Sequence, residues 1–336
     1  MIFALSVLLP AMASGYGVPV DGLPSNAERV LLLWTNAARV DPEGFEEEYR
    51  AGYHPCGFGD FQADEKVPKA PMYLDLALTE ASRYHSNDMI TNGCFQHESC
   101  DGTDTFARIG RFYDESGMLG ENIAMGTTDP RYAVMGMWMC SAGHRANIMT
   151  GAYDEMGPGI VSNYMTQDFA GGGVLPDGKP PVRVAVLDRG TFHADWGDTD
   201  APGHVWFVVE GVEREGDLRW GVGEQGIYTA DGEGLDAGCQ RWHAEWLTKD
   251  GRRGTFPEEG SFLAGPDCDA DWTATQVPAG GLFGDVDDDD LSDKMLEDIS
   301  VGGCASAPAE PNGAGFVSAA LTLGLTLRGR RTRRER

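Results

Sequence analysis

In the first half of the chain, apolar positions recur every three or four residues; after residue 180 they alternate with polar ones. The first pattern predicts a helix over residues 26–39, capped by Asn26, with Val30, Leu33, Trp34 and Ala37 on one face. Asp41-Pro42 stops it. A loop rich in glycine and proline, residues 52–71, leads to a second helix over 75–91. There Leu78, Ala81, His85 and Met89 share a face, and Asn92-Gly93 closes the last turn. Residues 105–112 read as a short helix. Asp129-Pro130 starts another helix, which turns Val134 and Trp138 inward, and Ser141 caps a third with His144 in its first turn. Residues 157–162 read as a core strand, with a further strand at 167–169 before the break at residues 171–173.

Past residue 180 the period falls to two. Residues 182–187, 204–210, 218–222, 225–229 and 241–248 read as strands parted by Gly and Asp turns, the pattern of a β-sandwich. Trp206, Trp220, Trp242 and Trp246 fill its core on this reading; an exposed aromatic platform for sugar is the alternative. The 336 residues suffice for two domains, here placed at 24–173 and 180–275.

Charge narrows the partners. A formal net charge of −27 repels nucleic acid at long range and suits a soluble exported protein. Residues 1–13 are apolar and uncharged and end in Ala11-Met12-Ala13, which reads as a signal peptide too short to span a bilayer. Residues 284–312 read as an acidic, proline-containing linker; its alternate Asp285, Asp287 and Asp289 lack the central glycine and final glutamate of a calcium loop. Residues 302–336 hold Cys304, an apolar run over 314–327 and an arginine-rich end, the order of parts in a membrane anchor retained on the inside. This order resembles the C-terminal sorting tails of myxobacterial surface proteins, which implies processing or lipidation at Cys304. Outer membrane or cell-surface attachment is the expected outcome.

In an exported chain, seven cysteines imply disulfides with one left over. Cys94 with Cys100 around His97, Cys239 with Cys268, and Cys56 with Cys140 form a plausible set, but spacing does not fix the connectivity. The densest chemistry lies in four short blocks: Cys94-Phe95-Gln96-His97-Glu98-Ser99-Cys100, Gly120-Glu121-Asn122, Trp138-Met139-Cys140-Ser141-Ala142-Gly143-His144 and Met156-Gly157-Pro158-Gly159. Polar groups that converge from distant blocks usually line a cleft. His85 has two readings, a buried histidine bonded to backbone or a member of that cleft.

These blocks, with residues 81–89 upstream, resemble the CAP superfamily of secreted proteins in its bacterial branch. The resemblance implies a three-layer α/β/α sandwich whose cleft is lined by two histidines and two acidic residues. His97, Glu121 and His144 take three of those positions, and Ser141 stands where the second carboxylate would be. The fold expected is therefore α+β, the CAP sandwich followed by an all-β sandwich. His97 and His144 are candidate ligands for Zn²⁺ or another divalent metal, in an open site short of one carboxylate. The function expected is extracellular binding of a lipid, a glycan or wall component, or a protein. The competing reading is a hydrolase, either metal-assisted or built on a Ser141–His144 pair.

Overall fold

The computed structural model describes residues 22–50, 61–114, 117–172, 179–235 and 238–276. The signal peptide, Cys56, the acidic linker and the tail with Cys304 fall outside the described residues.

Helix α1 (Asn26–Val40) lies between two sheets and is buried on every side. The sequence reading gave it one apolar face and an Asn26 cap. Instead Ser25 caps it, in a capping box closed by Glu28, and Asn26 donates to the Leu187 carbonyl at 2.9 Å. Burial on all sides is tolerable because the polar residues of α1 each meet a fixed partner. Asn36 donates to the Met72 carbonyl and to Asp195, at 2.9 and 2.8 Å. Arg39 donates to the carbonyls of Ala70, Ile148, Thr150 and Tyr153. Pro42 ends α1 but also opens α2 (Pro42–Arg50), since proline suits the first helical turn.

One sheet flanks α1 in the order β1 (Tyr73–Leu74), β3 (Glu155–Val161), β4 (Tyr164–Gly171), β2 (Met118–Met125). Only the β1–β3 pair is parallel. Helix α3 (Leu76–Asn92) covers the other face, starting from the Asp75 cap and ending at Gly93 with φ 69°. Gly157 and Gly159 allow that close approach: a Cβ on Gly157 would meet the Leu78 and Thr79 backbone at 2.1 Å. Ser82 and Ser86 use the space to donate to the carbonyls of Gly157 and Gly159. These layers are the predicted α/β/α sandwich.

The short elements sit around its rim. Helix α4 (Thr105–Ile109) precedes β2. Helix α5 (Pro130–Tyr132) runs into a six-residue π-helical turn, Ala133–Trp138, and then α6 (Ala142–Met149) follows.

Beyond α1 lie two further sheets, largely antiparallel. The nearer has the order β5 (Ala185–Asp188), β6 (Thr191–Gly197), β10 (Gln225–Asp231), β9 (Asp217–Val222). The outer sheet runs β14 (Trp272–Thr273), β13 (Ser261–Ala264), β11 (Gln240–Thr248), β7 (Pro202–Val209), β8 (Val212–Glu215), and β12 (Arg253–Phe256) also pairs with β11. This is the expected β-rich region, yet its tryptophans divide differently. Trp242 and Trp246 pack between the two sheets with Trp196. Trp220 points the other way and joins the core around Trp34, and Trp206 forms a small cluster with Val208 and Leu247. All four are buried, so none is an exposed sugar platform. Because Val184, Val186, Trp220 and Ile227 share a core with α1, the β-rich region and the sandwich are packed as one.

Candidate functional site

The loop after α3 carries His97. Cys94 and Cys100 are joined as expected, which closes a seven-residue loop, and Asp88 pins its end by accepting from the Cys100 amide at 2.7 Å. Thr105 and Arg108, both on α4, donate to the His97 carbonyl, each at 2.8 Å. The loop is thus held from both ends while the His97 ring stays half-exposed.

Glu121 comes from β2, a strand hidden in the sequence by Gly120 and Asn122. Its carboxylate is 2 % exposed and fully engaged. One oxygen accepts from His97 Nδ1 at 2.8 Å; the other pairs with Arg108 and lies 3.8 Å from His85 Nε2. His85 follows the first of its readings: it is fully buried with Nε2 3.0 Å from the Gln96 carbonyl, and the same nitrogen lies 3.8 Å from Glu121. The hydrogen bond to Glu121 holds the His97 pKa above its ordinary value. Burial pushes the His85 pKa down, against the pull of Glu121.

His144 stands in the first turn of α6, as predicted. Asn122 and Asn147 bolt α6 to β2: Asn122 donates to the His144 carbonyl, and Asn147 donates to the Glu121 carbonyl, both at 3.1 Å. Burial and then the charge of His97 lower the His144 pKa. Its Nδ1 is buried without a hydrogen-bond partner. Ser141 caps α6 only by position, since its side chain makes no capping hydrogen bond. Among the described residues, no hydrogen bond joins Ser141 to His144.

Two members of the site escaped the sequence reading. Arg108 is the buried counter-charge that ties Glu121 to the His97 loop. Asp168 on β4 lies directly opposite Glu121 across the ladder and is fully buried. Burial, then the Glu121 charge, raises its pKa well above the ordinary carboxyl value. Both effects favour its neutral form beside Glu121. The alternation of β4 was the only signal for it.

One set of three metal-ligating atoms, on Asp88, Cys94 and Cys100, lies within 4.8 Å of one another, but the disulfide consumes both sulfurs. His97, Glu121 and His144 do not close to that spacing. Their chemistry still suits a loosely held cation: Glu121 takes Nδ1 of His97, which leaves Nε2 for a ligand, the carboxylate–histidine arrangement of metal sites. Of the remaining cysteines, Cys239 pairs with Cys268 as expected. Cys140 is also disulfide-bonded; Cys56, its expected partner, is not among the described residues.

A layered α/β/α domain with His97 bonded to Glu121 beside a disulfide-closed loop defines the class. Residues 29–171 match the family model of the Cysteine-rich secretory protein family, and this part of the chain is a CAP domain. Over 109 residues the chain is 34 % identical to the uncharacterized protein YkwD of Bacillus subtilis, covering 32 % of this chain and 42 % of that protein. It is similar to an extracellular protein containing a SCP domain from Bacillus anthracis, at 30 % identity and TM-score 0.28, covering 30 % of this chain and 33 % of that one. It is also similar to a cysteine-rich secretory protein from Staphylococcus aureus, at 18 % identity and TM-score 0.31, covering 46 % of this chain and 40 % of that one. The chain spans less than half the length of each of these relatives. Among the described residues, no helix is long and apolar enough to cross a membrane.

Proposed function

We propose that this is an exported, surface-held binding protein whose CAP cleft takes a divalent cation through His97 and His144, and with it an extracellular ligand, without turnover. The observation that carries the reading is the state of Glu121. A general base needs a carboxylate free to accept a proton at the reacting centre. Glu121 is buried and already bonded to His97 and Arg108, so its role is to orient His97. Ser141 lacks a hydrogen bond to His144 and so is not prepared as a nucleophile. When bound, the cation would supply a Lewis-acidic anchor for an oxygen of the ligand. Phe95 and Phe106, 46 % and 51 % exposed, flank the His97 loop and favour a ligand with an apolar part, a lipid or a wall component. Attachment to the surface rests on the apolar and basic tail with Cys304.

Calorimetric titration with zinc tests the cleft. Wild type should bind weakly, and His97→Ala and His144→Ala should each lose most of the affinity. Equal binding by all three proteins would place the metal elsewhere.

A further inference from the structure

A pocket of about 370 Å³ lies where the sandwich meets the β-rich region. It sits at the β1 edge of the first sheet, the edge opposite β2 and its Glu121. β1 borders it on the sandwich side, the Phe256-Pro257 turn and β13 border it on the other, and the connection from Lys179 to Arg183 runs between them. Its volume is in the range of small-molecule sites.

The walls are apolar and stiff. Tyr73, Phe256 and Phe262 supply rings, and Leu74 and Leu76 supply aliphatic surface. Phe256 and Phe262 pack together at 5.9 Å with 48° between their planes, and Phe262 is anchored in the core of the β-rich region. Pro24, Pro180 and Pro257 come from three separate segments, and each fixes its own stretch of backbone. Leu76, the first residue of α3, is 47 % exposed where it lines the pocket.

The basic groups of the lining are engaged within the protein. Arg29 donates to the carbonyls of Pro24 and Ala185 and lies 3.7 Å from the centre of the Phe262 ring. Arg183 donates to the carbonyls of Pro71 and Gly197 and lies 4.2 Å from the centre of the Tyr73 ring. Lys179 is bonded to Glu155 at 2.5 Å. An anion has to compete with these acceptors and faces the exposed carboxylate of Glu258. A cation faces three positive side chains. A neutral molecule meets neither cost.

β1 supplies a polar anchor. The amides of Tyr73 and Asp75 donate to β3, at 2.8 and 3.1 Å. Leu74 between them turns its own amide and carbonyl to the opposite, outer edge of the strand. A ligand hydroxyl or carbonyl can pair with either group.

We propose that this pocket binds a neutral, rigid, ring-bearing small molecule, about two fused rings in size, with one hydroxyl or carbonyl group. An apolar cavity of about 150 Å³ holds one benzene ring, so the present volume takes two rings and a substituent. Ligand rings gain edge-to-face contacts with Phe256 and Phe262. Fixed walls favour a rigid ligand over a flexible chain, which loses more freedom on entry. The site is independent of the cleft and of any metal there.

Titration calorimetry on the full chain with 2-naphthol, its anionic counterpart 2-naphthoate and the flexible alcohol 1-octanol tests this. Wild type should bind 2-naphthol at one site per chain, and the other two at least tenfold more weakly. Leu76→Glu brings a charge to the pocket and should lose at least tenfold in 2-naphthol affinity. An acidic residue suits the first turn of a helix, so the unliganded melting temperature should hold. Phe256→Leu, which keeps an apolar side chain but removes the ring, should lose severalfold and covers the case in which the first variant is unstable. Zinc binding at the cleft should be untouched in both. Absence of 2-naphthol binding by wild type, equal affinity in a folded variant, or 2-naphthoate or 1-octanol binding as tight as 2-naphthol would each overturn the assignment.

Discussion

The cleft around Glu121 and the cavity around His193 both gather histidine, arginine and carboxylate, but they spend those charges differently. In the cleft, the buried arginine and glutamate are locked to each other and to the loop they support. In the cavity, arginines stand at the edge of an open volume, with Arg131 over the Trp34 ring and Arg189 paired with Asp129. A charge that is buried and paired becomes architecture, because removing one partner strands the other. A charge at a cavity rim keeps solvent and gains little from its neighbours. The same residue types therefore make a buried frame in one place and a solvated rim in the other.

The most damaging way to break this contrast is Arg108→Met. It should destabilise the protein by about 3–5 kcal/mol, because Glu121 loses its buried counter-charge. Chemical denaturation measures the loss. Arg219→Ala in the cavity should cost no more than about 0.5 kcal/mol in the same experiment, as expected of an exposed charge. If the two substitutions cost the same, the contrast fails.

Opening the Cys94–Cys100 loop by Cys94→Ser with Cys100→Ser should cost about 2 kcal/mol, the scale for so short a closed loop. Zinc affinity should fall with it, since the loop holds His97.

Asp168→Asn should stabilise, by about 1–3 kcal/mol at neutral pH. A carboxyl whose folded pKa is raised is harmless below its unfolded value and costs stability as pH rises toward the folded value. Wild type should therefore lose stability as pH rises above about 3.8, the ordinary carboxyl value, and the variant should lose less. Thermal melts of both proteins at pH 4 and pH 7 read this difference. A variant less stable than wild type at pH 7 would show that Asp168 is ionised and useful.

The smallest effect is on the pH profile of zinc binding. Protonated His97 cannot ligate, and its raised pKa extends that competition above the ordinary histidine value of 6.5. Affinity should climb with pH through the raised value and then level. His144, whose pKa is lowered, should add no further step in this range.

Much of this was legible in the sequence, for identifiable reasons. His97, Glu121 and His144 stood out because each sits in a block of small residues, prolines or cysteines that only a special backbone needs. The helical stripe of α3 and the Asp129 cap were local signals and came through. Arg108 and Asp168 were not legible, because their meaning lies in the β2–β4 register and in the fold of α4 over the loop, both set by long-range packing. The second face of α1 was missed for the same reason. A helix flanked by sheets on both sides buries polar residues whose partners are hundreds of positions away, as with Asn26 and Asp271. The strand β6 could have been found, since Phe192, Ala194 and Trp196 alternate with His193 and Asp195, and its polar face turns to α1.

The most direct test of the account is the nitrogen NMR spectrum of the histidine rings during a zinc titration at pH 8. The account predicts that His97 keeps its proton on Nδ1, bonded to Glu121, while Nε2 of His97 and a ring nitrogen of His144 shift on binding zinc. If His97 binds zinc through Nδ1, or if neither ring responds while zinc is taken up, Glu121 does not orient His97 for a ligand and the cleft is not the binding site.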